Sequence, residues 1–436
     1  DFTMTTHRRR IVILGGGFAG LQLARRLDGK LFDITLIDQN NFHQFQPLFY
    51  QVATARLEPS AISFPLRKIF QNNPNIHVRL ATVERVIPNH KIVVTSEGNF
   101  NYDYLVIATG CRTNFFGNKK IERYSFPMKS TQDSIALRNR ILLNFEESIM
   151  PNANKEELLN FVIAGGGPTG VELAGALIEM KKNVLPKDYP NIDFSSLTIY
   201  LIEGANSTLA SMSTVSQQAS ISYLRNMGVV VMTQSLIEDF DGTTVYIKGG
   251  KEIKTKNLIW AAGVMGNVPQ GLEHAIIMRG NRIKVDEYSK VLGEEDIYAI
   301  GDVAYMPTKD WENGHPQLAN VANNQAKNLA KNFKKLVLQN TLSPFNYKNP
   351  GTMATIGKRK AVVDLPSFSF KGFFAWLFWM FLHLMLILSV KNKLFIFINW
   401  AISYFTNDTT LRLILLPTTK QIELFEERKK NLHKVI

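Results

Sequence analysis

Short apolar runs punctuate the chain, and each stops at a glycine turn or at an acid. Ile11-Val-Ile-Leu14 ends at Gly15-Gly-Gly17, and Phe161-Val-Ile-Ala164 ends at Gly165-Gly-Gly167. Continuous short runs bounded by turn residues predict strands covered on both faces. After the first turn comes Leu31 to Asp38, and after the second comes Leu197 to Glu203; each is an apolar segment closed by an acid. Strand, glycine turn, helix and strand make a βαβ unit, and the chain holds two. Tyr104-Leu-Val-Ile-Ala-Thr-Gly110, Leu258-Ile-Trp-Ala-Ala-Gly263 and Ile297-Tyr-Ala-Ile-Gly-Asp302 supply further buried strands that complete sheets.

The order of these runs predicts an α/β fold with two Rossmann-like domains, one inserted in the other. Residues 7–120 and 265–350 form the first, 121–264 the second, and 351–436 a C-terminal module of different composition. In that module Gly372 to Leu388 is a run of roughly 17 residues without formal charge unless His383 is protonated, at the lower edge of membrane-spanning length. Lys391 and Lys393 break it. Leu394 to Phe405 follows with Trp400 and Tyr404, then Leu411 to Leu416 with Arg412, then the charged segment Glu423 to Lys430. Basic and aromatic punctuation of this kind fits amphipathic helices lying in a membrane interface as well as a minimal crossing, and the residues alone leave both open.

Composition narrows the partners. A formal charge of +13 favours polyanions. No zinc-ligand spacing, helix-turn-helix or aromatic RNA-binding signature accompanies it, whereas basic residues flank the greasy C-terminal segments, so anionic lipid is expected and nucleic acid is not. Cys111 is the single cysteine, which excludes an intrachain disulfide, a redox cysteine pair or a cysteine-ligated metal. The four-residue run after Arg8 to Arg10 is too short for a signal-peptide core, predicting a cytosolic start, with residues 1–3 read as a vector-derived remnant.

The chemistry concentrates at the turns. Gly15, Gly17 and Gly20 fit GxGxxG, in which missing Cβ atoms permit the tight turn, the approach of a pyrophosphate and close helix packing. Phe18 and Ala19 complete that turn, and Asp38 is spaced for a ribose hydroxyl pair. Gly165, Gly167 and Gly170 repeat the pattern around Pro168 and Thr169, with Glu203 as the second acid. Thr169 and Glu172 are spaced as a capping box; the competing reading of Glu172 is a carboxylate near the redox centre that relays protons. Gly301-Asp302 reads as a capping turn or, preferably, as an acid holding a ribityl hydroxyl.

Beyond these turns, Asp38-Gln-Asn-Asn-Phe-His-Gln-Phe-Gln-Pro-Leu-Phe-Tyr-Gln-Val-Ala-Thr54, Ala108-Thr-Gly-Cys-Arg-Thr-Asn-Phe-Phe-Gly117, Met353-Ala-Thr-Ile-Gly357, Phe374-Ala-Trp376 and Ile398-Asn-Trp-Ala-Ile-Ser-Tyr-Phe405 resemble the type II NADH:quinone oxidoreductases over nearly the whole chain. The resemblance implies a non-proton-pumping monotopic enzyme with non-covalent FAD, a homodimer on the cytoplasmic face of the inner membrane, passing a hydride from NADH to FAD and two electrons to menaquinone or ubiquinone. It places Gly15, Gly17, Gly20, Asp38, Ala108, Thr109, Gly110 and Asp302 at FAD, with Gln46 and Pro47 by the isoalloxazine. Gly165, Gly167, Gly170, Glu203, Ala262 and Gly263 fall at NADH. The family's quinone signature AQxAxQ falls on Ala319-Asn-Val-Ala-Asn323, so Asn320 and Asn323 stand for glutamines and shorten each amide by one methylene. Lys371 and Phe374 match positions by the quinone pocket, Lys371 also reading as a lipid head-group anchor. His383 is expected as a hydrogen-bonded interfacial residue and Cys111 as packing.

Rival members of the superfamily need paired cysteines or leave the C-terminal module unexplained; a membrane-bound flavin sensor of NADH with poor quinone turnover is the alternative from another class. The Glu203 carboxylate repels a 2′-phosphate. NADH is therefore expected to exceed NADPH by at least about tenfold in kcat/KM, roughly the 1.4 kcal/mol that one unfavourable charge contact supplies, and steady-state assays with both nucleotides check it.

Overall fold

The computed structural model describes residues 8–432; residues 1–3, read above as a remnant, lie outside that range. The chain opens with β1 (Arg9–Leu14), α1 (Phe18–Arg26), β2 (Phe32–Asp38), α2 (Phe49–Ala53), β3 (Ile76–Leu80) and β4 (Tyr104–Ile107). It continues through β5 (Phe126–Pro127), α3 (Thr131–Ser148), β6 (Asn160–Ala164), α4 (Pro168–Asn183), β7 (Thr198–Ile202), α5 (Thr214–Met227), β8 (Val230–Met232) and β9 (Asn257–Trp260). Then come β10 (Ile297–Ala299), α6 (Ala319–Val337), β11 (Thr352–Thr355), β12 (Ala361–Asp364), β13 (Ser369–Lys371), α7 (Phe373–Leu386), α8 (Val390–Thr406) and α9 (Thr419–Leu432).

Two parallel sheets follow from the continuous apolar runs. The first has the order β10-β4-β1-β2-β3, the second β5-β9-β6-β7-β8. Ile11, Val12, Ile13 and Leu14 are all buried, as are Phe161 to Ala164, so β6, and β1 beyond its exposed Arg9 and Arg10, are covered on both faces. Because β10 joins β4 only after β9 has been made, the second sheet is a sequence insertion within the first.

A third, antiparallel sheet, β11-β12-β13, carries the C-terminal helices. Two devices hold it on the second sheet's helices. Gly175 of α4 lies so close to the turn after β11 that a Cβ there would stand 2.7 Å from Gly357 N. Asp364 accepts hydrogen bonds from Ser213 N (2.6 Å), Ser213 Oγ (2.7 Å) and Ser216 Oγ (2.7 Å), placing a carboxylate on the positive end of α5.

The long greasy run is a helix of 14 residues, α7, and α8 has 17. Among the described residues no helix is long and apolar enough to cross a membrane. These helices turn a narrow stripe inward, Ala375 and Trp379 on α7 and Ile396 and Trp400 on α8. Phe374, Phe381, Val390, Leu394, Phe397 and Phe405 point outward, with Val390 and Phe405 81% exposed. Past α8 the chain forms a strap: Arg412 pairs with Asp408 (2.9 Å) and with Asp188 (2.9 Å), and Leu415 exchanges two backbone hydrogen bonds with the Asn139 amide (2.8 and 3.0 Å).

Candidate functional site: two nucleotide cradles and a buried carboxyl

The two glycine turns are built alike. At Gly15, φ is +103°, and a Cβ would lie 2.3 Å from Ala108 O, so the β1 turn rests directly on the Ala108-Thr109-Gly110 turn. At Gly165, φ is +107°, and a Cβ would lie 2.4 Å from Ala261 O, beside Ala262 and Gly263. Gly20 and Gly170 each sit where a Cβ would strike the turn's own carbonyl, at 1.8 Å and 1.9 Å. Gly17 and Gly167 are the N-caps of α1 and α4, with no side-chain cap and open space beyond. Each helix therefore presents unsatisfied N–H groups to an open concavity, which suits a pyrophosphate.

The acids at the strand ends complete the match. Asp38 accepts from Gly16 N (2.6 Å) and Asn40 N (2.7 Å), and Glu203 accepts from Gly166 N (2.6 Å) and Ala205 N (2.7 Å). The carboxylates thus stand at the rim of each turn, where a ribose diol would meet them. Burial raises the pKa of Asp38 above the ordinary carboxylate value, against the pull of its two N–H donors.

Around the first cradle, Phe18 packs edge-on to His43 and Phe45, and Ala19 is buried against Gly301, whose Cβ would stand 3.1 Å from it. Gln46 and Pro47 open a 3₁₀ turn, and Lys129 Nζ donates to Gln46 Oε1 (3.1 Å). Thr109 Oγ1 donates to Asn267 O (2.6 Å), fixing the turn on the returning chain. Asp302 lies in the Gly301–Val303 turn and accepts from Cys111 Sγ (3.0 Å), which corrects the reading of Cys111 as packing alone. Burial and the Asp302 carboxylate push that thiol up to about 12, so it remains a donor. On the second cradle, Pro168 occupies the first turn of α4 and Thr169 follows, half-buried. These arrangements fit a flavin dinucleotide on the first sheet and a nicotinamide dinucleotide on the second.

Glu172 is not part of a capping box. The N-cap is Gly167, two residues before Thr169, so Glu172 falls in the second turn of α4 and points inward. There, among the described residues, Glu172 Oε1 accepts one long bond, from Thr355 N (3.4 Å), and the N–H of Trp379, which lines the same cavity, has no hydrogen-bond partner. Burial pushes the carboxyl up to about 8, opposed by the Thr355 amide and the nearby indole N–H. A carboxyl left protonated at neutral pH can donate as well as accept.

This carboxyl lines a cavity of about 70 Å³ walled by α2 (Tyr50, Gln51), α4 (Glu172, Glu179), Trp379 of α7 and Trp400 of α8. Glu179, seven residues on, shares the face of Glu172 about 10 Å further along the axis. It pairs with the half-buried Arg56 and accepts from Lys358 N, closing the cavity's outer end with charge. Tyr50, Gln51, Arg56, Glu179, Trp379 and Trp400 were not singled out from sequence; the seven-residue spacing of Glu172 and Glu179 was the one available signal.

The residues expected at quinone lie outside this cavity. Lys371 ends β13 exposed, and Phe374 is 77% exposed on the outer face of α7. Asn320 and Asn323 lie in the first turns of α6, which packs on α1 and on the Gly301 turn. None of these four lines the cavity. Moreover, the six-residue signature starting at Ala319 ends at Asn324 rather than Asn323, and Asn324 Nδ2 donates to Asn320 O (2.8 Å), so the second amide is spent on its own helix. Asn323 Oδ1 is buried with no hydrogen-bond partner among the described residues. His383 is hydrogen-bonded as expected, Nδ1 to Trp379 O at 2.9 Å, with its ring stacked 3.9 Å from that indole.

Two nucleotide cradles on interleaved parallel sheets define a two-dinucleotide flavoprotein, and residues 9–326 match the pyridine nucleotide-disulphide oxidoreductase family. Residues 350–407 match the NDH2 C-terminal domain. Two relatives from Mycobacterium tuberculosis, type II NADH:quinone oxidoreductases NdhA and Ndh, are 32% and 30% identical; each alignment spans 91% of this chain and 87% or 88% of theirs. An internal alternative NAD(P)H-ubiquinone oxidoreductase of Solanum tuberosum mitochondria is 30% identical over 92% of this chain and 87% of its own. The NDH2 structure from Plasmodium falciparum in complex with NADH superposes with a TM-score of 0.87 at 23% identity, covering 94% of this chain and 100% of that one. The chain belongs to the type II NADH:quinone oxidoreductase family.

The raised carboxyl of Glu172 makes stability depend on pH with a definite sign. In the unfolded chain it ionises above its ordinary value of 4.5, whereas the native group holds its proton to about 8. Its contribution is complete below the lower value and is lost as pH rises through the window between them. Glu172→Gln should therefore be about as stable as wild type at pH 4.5 and more stable by a few kcal/mol at pH 8, a difference that denaturant titrations at the two pH values measure.

Proposed function

We infer that this chain oxidises NADH at the second sheet's cradle and delivers two electrons to a membrane quinone, menaquinone or ubiquinone, in the cavity beside Glu172, without pumping protons. The observation that carries this reading is that one buried carboxyl, held in its protonated form, stands at the meeting of α2, α4, α7 and α8. FAD bound on the first cradle supplies the hydride acceptor and the two-electron donor.

The chain's residues position and neutralise. The amides at the starts of α1 and α4 hold the two pyrophosphates, and Asp38 and Glu203 hold the riboses. We assign the first cradle to residues 7–120 and 265–350, the second to 121–264, and membrane docking to 351–436. Glu172 offers its proton at Oε1 or Oε2 toward the quinone side, where reduction demands protons that the apolar wall of Trp379 and Trp400 keeps from bulk water. Arg56, Glu179 and Lys358 form a charged outer end through which that proton can be restored. Asn320 and Asn323, in the first turns of α6, orient the flavin side rather than the quinone in this reading. The homodimer and the cytoplasmic face are the assembly and site that family membership favours.

Glu172→Gln should leave flavin reduction by NADH within about twofold of wild type and slow flavin reoxidation by a soluble ubiquinone analogue by about tenfold to a hundredfold, the range of a lost general acid. Stopped-flow absorbance separates the two half-reactions. Equal slowing of both would remove the role, and a flavin that is reduced and then stalls in the wild type would favour a sensor.

The outward Phe, Leu and Val side chains of α7 and α8, flanked by Lys371, Lys391 and Lys393, are suited to an anionic lipid surface. Vesicles containing anionic phospholipid should retain the protein on flotation more strongly than neutral ones, and raising salt should reduce that preference. Paired substitutions Phe374→Ser and Phe405→Ser should weaken retention on both; unchanged retention would assign attachment elsewhere.

A further inference from the structure

Inside the cavity the hydrogen-bond donors form a chain with a fixed direction. Trp400 Nε1 donates to Gln51 Oε1 (2.7 Å), and Gln51 Nε2 donates to Tyr50 Oη (3.0 Å). An indole nitrogen can only donate, so Gln51 must turn its oxygen toward Trp400. The amide nitrogen is thereby left for the phenol. With its oxygen accepting from Gln51, the Tyr50 hydroxyl must send its own proton elsewhere, and among the described residues no protein acceptor takes it.

All three side chains are buried, Tyr50 at 5%, Gln51 at 4% and Trp400 at 8% exposure, so water does not scramble the order. Tyr50 and Glu172 line the same cavity. Burial, and then the Glu172 carboxylate, push the phenol well above its ordinary value, so it keeps its proton at any working pH. The Trp379 ring, 6.5 Å from Tyr50 and 6.0 Å from Trp400, packs the array from the side of α7.

We propose that the Tyr50 hydroxyl is the neutral hydrogen-bond donor that meets a quinone carbonyl oxygen in this cavity, and that Trp400, acting through Gln51, is the positioning residue that keeps the phenol proton directed there. This rests on the reading of the cavity as the quinone site. It also gives α8 a part in the chemistry: an element whose outer face suits lipid sets, through one indole N–H, the polarity of a donor 349 to 350 residues earlier in the chain. A neutral donor strengthens with the negative charge that grows on the carbonyl oxygen during reduction. Glu172 and Tyr50 then hold different duties, one losing a proton and the other only sharing it.

The test uses the full-length holoenzyme, reduced with NADH and mixed with a water-soluble ubiquinone analogue in a stopped-flow instrument. Flavin content and the NADH half-reaction should match wild type in every variant. Tyr50→Phe should slow reoxidation about tenfold, and Trp400→Phe about threefold, because the amide is then free to flip. Gln51→Glu should slow it at least as much as Tyr50→Phe, since a carboxylate there draws the phenol proton away from the cavity. The double variant Tyr50→Phe, Trp400→Phe should match Tyr50→Phe alone, as required if Trp400 acts only through Tyr50. Multiplying losses in the double variant, or wild-type reoxidation in Gln51→Glu, would overturn the proposal. A plug at Ser403, which also lines the cavity, made by Ser403→Phe, separates the two levels. If it leaves the quinone KM unchanged, the cavity reading fails; if it raises KM while Tyr50→Phe reoxidises at the wild-type rate, that reading survives and the donor assignment falls.

Discussion

Two contacts of backbone against backbone govern the molecule. At Gly15 and at Gly165 a strand-ending turn rests on the carbonyl of a neighbouring turn, at a separation that no side chain permits. Those contacts set where α1 and α4 begin, and with them the direction in which unsatisfied N–H groups face. The acids that follow, Asp38 and Glu203, bond to equivalent amides at nearly equal lengths, so the chain solves one binding problem twice. The rest of the architecture interleaves the two solutions and leaves α4 between them and the C-terminal helices.

That placement makes α4 a shared element. Its first turn faces the second cradle, while Glu172 and Glu179 on its inner face line the cavity, one held neutral by burial and the other paired with Arg56. Burying a lone carboxyl is costly, and a fold that retains one at a junction of three modules spends stability on it. Function is the economical explanation for such a group, and the directed chain of Trp400, Gln51 and Tyr50 on the opposite wall supplies a second polar element of the same cavity.

Legibility in the sequence followed range. The strands were readable because parallel sheets covered on both faces need uninterrupted apolar runs, and the glycine turns because a missing Cβ leaves a mark at a fixed spacing. Residue-level roles were harder. Thr169 and Glu172 carried a capping spacing, but the helix starts earlier, at Gly167, because the glycine turn dictates its origin. Lys371 and Phe374 flank the greasy helix without facing the cavity, since the helical period turns Trp379 inward and Phe374 outward. Tyr50 and Gln51 stood inside the Asp38 to Thr54 motif without a role of their own; their partner is on α8, and no local pattern encodes a contact across that distance. Gly372 to Leu388, at the lower edge of spanning length as a sequence run, contributes a helix of 14 residues, and among the described residues no helix is long and apolar enough to cross a membrane.

The clasp between Asp364 and the start of α5 bears on how the chain comes apart. Prying β12 from α5 would strand a carboxylate on one side and three donors on the other, alongside the bare backbone contact of Gly175 with Gly357. The C-terminal segment is accordingly no detachable tail but a portion of the same cooperative foldon as the second sheet, and calorimetry of the intact chain should register the two melting as a single endotherm.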